Sequence, residues 1–174
     1  MPQAHPRMQE ADPRFPSGPW TGFFLQYWLP GRHHTDLEMT AADGVLTSTG
    51  RDWVGPYTMD GTYDLATGVC EFTKQYLGRH RVYYRGVSDG NGIWGVWEIR
   101  ILGGLYRDKG GFHIWPEGSD VSEESERTEQ AVVEIMRKEF GNRRMPPGSA
   151  MIILMALAIG IAAALLTSSW LRPY

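Results

Sequence analysis

Through the middle of the chain, apolar and polar side chains take turns one by one. In "VCEFTKQYL", beginning at Val69, Cys70, Phe72 and Tyr76 fall on one face, while Glu71, Thr73 and Gln75 fall on the other. A repeat of two is the signature of a half-buried β-strand. Similar segments recur about every dozen residues between Trp20 and Trp115. They are "WTGFFLQYW" (from Trp20), "HHTDLEMTA" (His33), "GVLTSTGRDW" (Gly44), "YTMDGTYDL" (Tyr57), "VCEFTKQYL" (Val69), "HRVYYRGVS" (His80), "GIWGVWEIRI" (Gly92) and "GFHIW" (Gly111). The separators are "PGR", "ADG", "VGP", "ATG", "LGR", "SDGNG" and "GGLYRDKGG". Breaks this short, rich in Asp-Gly and Asn-Gly, make hairpins and leave no room for crossover helices, so successive strands pair antiparallel. Eight sequential strands hide their edges by closing into an up-and-down barrel, with an open sheet covered by a helix as the alternative.

Alternation then assigns faces. Leu37, Met39, Tyr57, Met59, Tyr63, Cys70, Phe72, Tyr76, Val82, Tyr84, Ile93, Trp97, Ile99, Ile101, Phe112 and Ile114 point inward. His34, Asp36, Glu38, Thr58, Asp60, Thr62, Glu71, Thr73, Gln75, Arg81 and Arg85 point to water.

The period changes after the last strand. "DVSEESERTEQAVVEIMRKEFGNRR", residues 120–144, reads as an amphipathic connector helix capped near Ser122, with its acidic residues at the start and Arg137 and Lys138 near the end, as the helix dipole favours. Val132, Ile135, Met136 and Phe140 share one stripe, which packs on the barrel, a membrane or a partner. "MPPG" (Met145 to Gly148) breaks that helix. No charge occurs from Met145 to Leu171, and the 20 residues Met151 to Trp170 form a helix of about 30 Å, enough to cross a bilayer. The expected organisation is thus a disordered tail (1–18), a barrel (19–117), the connector helix (120–144) and a single transmembrane anchor (149–171).

The start of the chain carries prolines and charges where a signal peptide would carry an apolar run, so the anchor inserts as a C-terminal tail anchor. Arg137, Lys138, Arg143 and Arg144 precede it and Arg172 follows, so the positive-inside rule keeps the barrel in the cytoplasm, on the inner (cytoplasmic) membrane. Ala156, Gly160 and Ala164 repeat every four residues along the span, a strip on which another transmembrane helix can approach closely, with lipid-facing filler as the alternative.

Composition narrows the chemistry. A net charge of −3 gives no excess of cations for nucleic acid, and the single cysteine, Cys70, excludes an intrachain disulfide and a thiolate metal cage. No phosphate loop, nucleophile elbow or zinc-protease helix is present. His33 and His34, adjacent on one strand, point to opposite faces and cannot chelate together. Neither an enzyme nor a cofactor is expected. The densest cluster of charge is "FTKQYLGRHRVYYRG" (Phe72 to Gly86). Alternation divides it: Arg79 and His80 sit in the hairpin, Arg81 and Arg85 form an outward basic rim, and Lys74 falls on the inward row. An ammonium there needs a carboxylate, carbonyls or an aromatic face, or else it snorkels out of the barrel mouth. Asp52 is open to pairing with Lys74 or with the neighbours of Arg51.

"WTGFF" at the start, hairpins one after another, and "GIWGVWEI" after a Gly-Asn-Gly turn resemble the lipocalin and avidin type of small antiparallel barrel over roughly the middle of the chain. That resemblance implies an eight-stranded barrel able to hold a small apolar ligand inside. Two functions follow as expectations. One is a non-catalytic accessory or scaffold subunit of a membrane complex, for example respiratory or photosynthetic, docking on other transmembrane subunits through Arg79, His80, Arg81, Arg85, Ala156, Gly160 and Ala164. The other is a membrane-tethered sensor or carrier whose small apolar ligand meets Lys74, Tyr76, Tyr84 and Trp97.

Overall fold

A computed structural model describes residues 10–26, 29, 31–101, 106–119, 126–127, 130–134 and 137–138. The chain divides into two units, Met1–Glu139 and Phe140–Tyr174, and every described residue belongs to the first. The anchor segment 149–171, with Ala156, Gly160 and Ala164, lies outside the described residues; among those described, no helix is long and apolar enough to cross a membrane.

Eight strands run in chain order: β1 (Gly18–Gln26), β2 (Arg32–Ala42), β3 (Val45–Asp52), β4 (Gly55–Tyr63), β5 (Val69–Tyr76), β6 (Arg81–Ser88), β7 (Ile93–Ile101) and β8 (Tyr106–Pro116). Each pairs antiparallel with the next, and β1 pairs with β8 from Trp20↔Pro116 to Gln26↔Gly110, closing the barrel. This is the closed antiparallel architecture that the alternation predicts, and at that coarse level it is consistent with a lipocalin-like fold. Asp43 and Gly44 both take positive φ, 50° and 75°, so the two-residue turn between β2 and β3 has the primed geometry whose twist matches a hairpin.

The inward row is the core. Every residue assigned to the interior whose side chain is described is buried, from Cys70 and Ile93 at 0 % exposure to Tyr84 at 8 %. Ile101 is outside the described side chains.

Two expectations require correction. "GGLYRDKGG" is not wholly a separator, since β8 already begins at Tyr106. Gly110 and Gly111 lie within that strand because their faces are occupied: a Cβ on Gly110 would meet the Trp97 ring at 2.5 Å inside, and one on Gly111 would overlap Val132 outside. Residues 130–134 are helical and Val132 is 1 % exposed, so the predicted stripe touches the barrel at this residue.

The second correction concerns part of the segment 1–18 read as a disordered tail, whose residues 1–9 lie outside the described residues. Residues 10–17 are ordered against the barrel end formed by the 43–44, 64–68 and 89–92 connections. Phe15 is completely buried with its ring 4.4 Å from that of Tyr63, and the Trp20 indole donates to the Pro16 carbonyl at 2.9 Å. The Glu10 amide donates to the Ala41 carbonyl, and its carboxylate accepts from the Tyr63 hydroxyl. A barrel end left open would expose this apolar row to water, and Phe15 removes that cost.

Candidate functional site

The opposite end of the barrel holds the polar chemistry. Asp52 is the last residue of β3, where the alternation Leu46, Ser48, Gly50, Asp52 carries its side chain inward. One oxygen, Oδ1, accepts from the Val54 and Gly55 amides at 2.8 and 3.3 Å and shapes the β3–β4 turn. The other, Oδ2, accepts from the Lys74 ammonium at 2.5 Å and from the Tyr76 hydroxyl at 2.6 Å. The Lys74 side chain is 2 % exposed and that of Asp52 0 %, so this is a dry ion pair.

Aromatic rings complete the coordination of the ammonium. Lys74 Nζ lies 3.7 Å from the ring centre of Tyr57, 4.9 Å from that of Tyr76 and 5.5 Å from that of Phe24. The Tyr57 hydroxyl is in turn 2.6 Å from the Thr35 hydroxyl. Burial pulls the Lys74 ammonium down to about 8, against the opposing pull of Asp52. The same desolvation raises Tyr57, Tyr76 and Tyr84 above the ordinary phenol range. Lys74 therefore does not snorkel: with its carboxylate and three rings inside the barrel, the aliphatic stem has no reason to carry the charge to water.

The four residues expected to meet a ligand are all inside but do not converge. Lys74 and Tyr76 meet at Asp52. Tyr84 stacks on Phe72 with centroids 5.1 Å apart and meets Phe112 edge-on, while the Trp97 indole donates to the Leu25 carbonyl at 3.0 Å. An internal cavity of about 10 Å³ is bordered by Lys74 and Tyr84, among others, but not by Tyr76 or Trp97. That is the volume of one water at most.

Space is found outside instead. An open groove of about 490 Å³ crosses the flank of β4 to β8, bordered by Glu71, Thr73, Tyr83, Arg85, Glu98 and Lys109. Tyr83 is 49 % exposed there, and Arg85 pairs loosely with Glu71 at 3.3 Å. The structure thus splits the basic rim. Arg85 belongs to the flank. Arg79, donating to the Val54 carbonyl at 2.9 Å, and Arg81, donating to Gln75 at 2.8 Å, are exposed at the Lys74 end. His80 is half-buried, its ring 5.0 Å from that of Tyr76, and burial followed by the charge of Arg79 lowers its pKa.

Tyr57 and Thr35 join the polar cluster without having been singled out, and Asp52, weighed in the sequence only as a pairing partner, stands at its centre. The signal was available for Asp52, because the β3 alternation aims a carboxylate at the row holding Lys74; for Thr35 only the three-dimensional register brings it to Tyr57. Elsewhere, the His113 ring is buried on the outer side of β8 between Phe23 and Trp115, with no partner for Nδ1 among the described residues. His33 packs on Phe24 and Trp53 while His34 pairs with Asp36. Among the described residues, no group of three His, Cys, Asp or Glu side chains is placed to hold a metal ion. The chain matches no protein-family model, no curated protein and no solved structure.

Proposed function

We propose that the chain is a non-catalytic accessory subunit of a membrane protein complex: a barrel of the lipocalin and avidin type, fixed to the cytoplasmic membrane by residues 149–171, that packs its flank on a neighbouring subunit. The observation that carries this reading is where the free volume lies. The interior offers about 10 Å³ and the outer flank about 490 Å³. A carrier needs room for several hundred Å³ of ligand inside. A scaffold needs a rigid body with a contoured outside, and the groove bordered by the exposed Tyr83 and by Arg85 supplies an aromatic and an arginine, residue types that anchor protein interfaces.

Support for rigidity comes from the buried Asp52–Lys74–Tyr76 cluster, which ties β3 to β5 at one end, and from Phe15, which fills the other. The uncharged span supplies the membrane attachment, and its strip of Ala156, Gly160 and Ala164 supplies a face for a second transmembrane helix. Blue-native electrophoresis of gently solubilised membranes tests the reading. A band far heavier than the 19.6 kDa chain, shifted toward the monomer by Tyr83→Ala with Arg85→Ala, is the expected outcome. Migration of the unaltered chain as a free monomer would overturn it.

A further inference from the structure

The two ends of the barrel differ in charge more than a net of −3 suggests. Around the end filled by Phe15 stand Glu10, Asp12, Asp43, Asp64, Asp89 and Glu117, with Arg14 the cation among them. The Lys74 end is ringed by exposed arginines: Arg32 opens β2, Arg51 is next to last in β3, Arg79 lies in the β5–β6 turn, Arg81 opens β6 and Arg100 is next to last in β7. Carboxylates stand at this end too: Asp36 contacts His34, Glu98 pairs with Arg100, Asp52 is buried against Lys74 and Asp108 accepts from Gln26.

Between those arginines the loop tips are apolar. Leu29 is 45 % exposed, Trp53 52 % and Leu77 60 %. All three stand at this end of the barrel. His33 Nε2 lies 3.1 Å from the Leu29 carbonyl oxygen, and the His33 ring is 5.8 Å from that of Trp53. The Leu77 amide donates to the Pro56 carbonyl at 3.2 Å, and Arg79 donates to the carbonyl of Val54, beside Trp53. Leu65 and Val69 are exposed at the other end, but among acidic neighbours.

We propose that the basic end of the barrel docks on an anionic lipid surface, with Leu29, Trp53 and Leu77 entering the boundary between headgroups and acyl chains and Arg32, Arg51, Arg79 and Arg81 meeting the lipid phosphates and carboxylates. An indole and two leucines flanked by guanidinium groups match that boundary in both polarity and charge, because the rings and branched chains leave water while the cations stay at headgroup depth. The acidic end is repelled by the same surface, so the segregated charge orients the barrel as it approaches. This surface goes beyond the anchoring proposed above and does not require it, since it is a second membrane contact made by the barrel itself.

The test uses the full chain with Leu77→Cys, labelled with a polarity-sensitive fluorophore. Cys70 does not compete, because burial leaves it inaccessible and pushes its thiol up to about 12. The labelled chain is mixed with vesicles of phosphatidylcholine alone, or of phosphatidylcholine with phosphatidylserine, and floated at low and high salt. The expected result is a blue shift of the label with the phosphatidylserine vesicles only. High salt should reverse it, and Arg79→Glu with Arg81→Glu should abolish it while leaving the circular dichroism unchanged. A chain that floats with both vesicle types but keeps an unshifted label has a working anchor and overturns the docking surface. One that floats only with phosphatidylserine vesicles, salt-sensitively and with a shifted label, supports the docking surface and overturns the anchor. A shift of equal size in both lipids, or one indifferent to the two arginines, also overturns the proposal, as does a chain that binds neither vesicle.

Discussion

Lys74 and Asp52 are a case in which the worth of an interaction depends on what is removed. A buried ion pair gains little net stability, because desolvating both ions offsets their attraction; deleting one partner alone strands the other and costs about 3–5 kcal/mol. Asp52→Asn keeps an oxygen for the Val54 and Gly55 amides but removes the countercharge of the ammonium. It is expected to destabilise by an amount in that range, and adding Lys74→Met is expected to restore most of the loss, as read from urea midpoints followed by tryptophan fluorescence. A single Asp52→Asn variant with the unaltered midpoint would mean that the ammonium is not held dry. The inward position of Lys74 was legible from Phe72 and Tyr76 on either side of it. Its partner was less so, because β3 is rich in Thr, Ser and Gly and its buried face carries little apolar contrast.

At the level of elements, hairpins are read easily because turn chemistry is local, and filled space is read poorly because it is not. Asp43–Gly44 announces its turn within two residues. Gly110–Gly111 is also a turn-type pair by composition but serves Trp97 and Val132, from β7 and from residues 130–134, and no window of the chain contains all three parts. The segment before β1 misleads for a related reason: its prolines and charges suggest disorder, while the buried Phe15 and the hydrogen bonds of Glu10 and Pro16 hold it against the barrel. Phe15→Ala is accordingly expected to cost about 3–5 kcal/mol, as for other fully buried aromatics. Leu77→Ala, at an exposed loop tip, should stay within about 0.5 kcal/mol. Thermal unfolding of the two variants checks the contrast; equal effects would show that Phe15 does not plug the end.

For the whole molecule, buried titrating groups set the pH range of stability. The folded pKa of Lys74 is depressed to about 8, so its contribution is present above the pKa of about 10.4 that a free lysine has and is lost as pH falls through about 8. Tyr57, Tyr76 and Tyr84 move the other way. Their folded pKa values lie above the phenol value of about 10, so the stability they confer is intact below that pH and disappears as pH rises beyond it. From these groups the unfolding midpoint is expected to climb from about pH 8 toward the free-lysine value of about 10.4 and to fall again as pH rises beyond the phenol value of about 10. Denaturation at about pH 7.5, 9.5 and 11.5, read together with the ultraviolet absorbance of tyrosinate, measures both limbs. A midpoint that declines steadily across the series would contradict the burial of the lysine.

Closure of the ring has a consequence for synthesis. Strand β1 leaves the ribosome first, yet its second neighbour, β8, is the last strand to be made. Until then the growing polypeptide carries two raw margins of unpaired amides and carbonyls, exposed to any other extended chain nearby. Assembly is therefore completed in one late step, and a truncated product ending before Tyr106 is expected to be a chaperone client or an aggregate, not a smaller barrel.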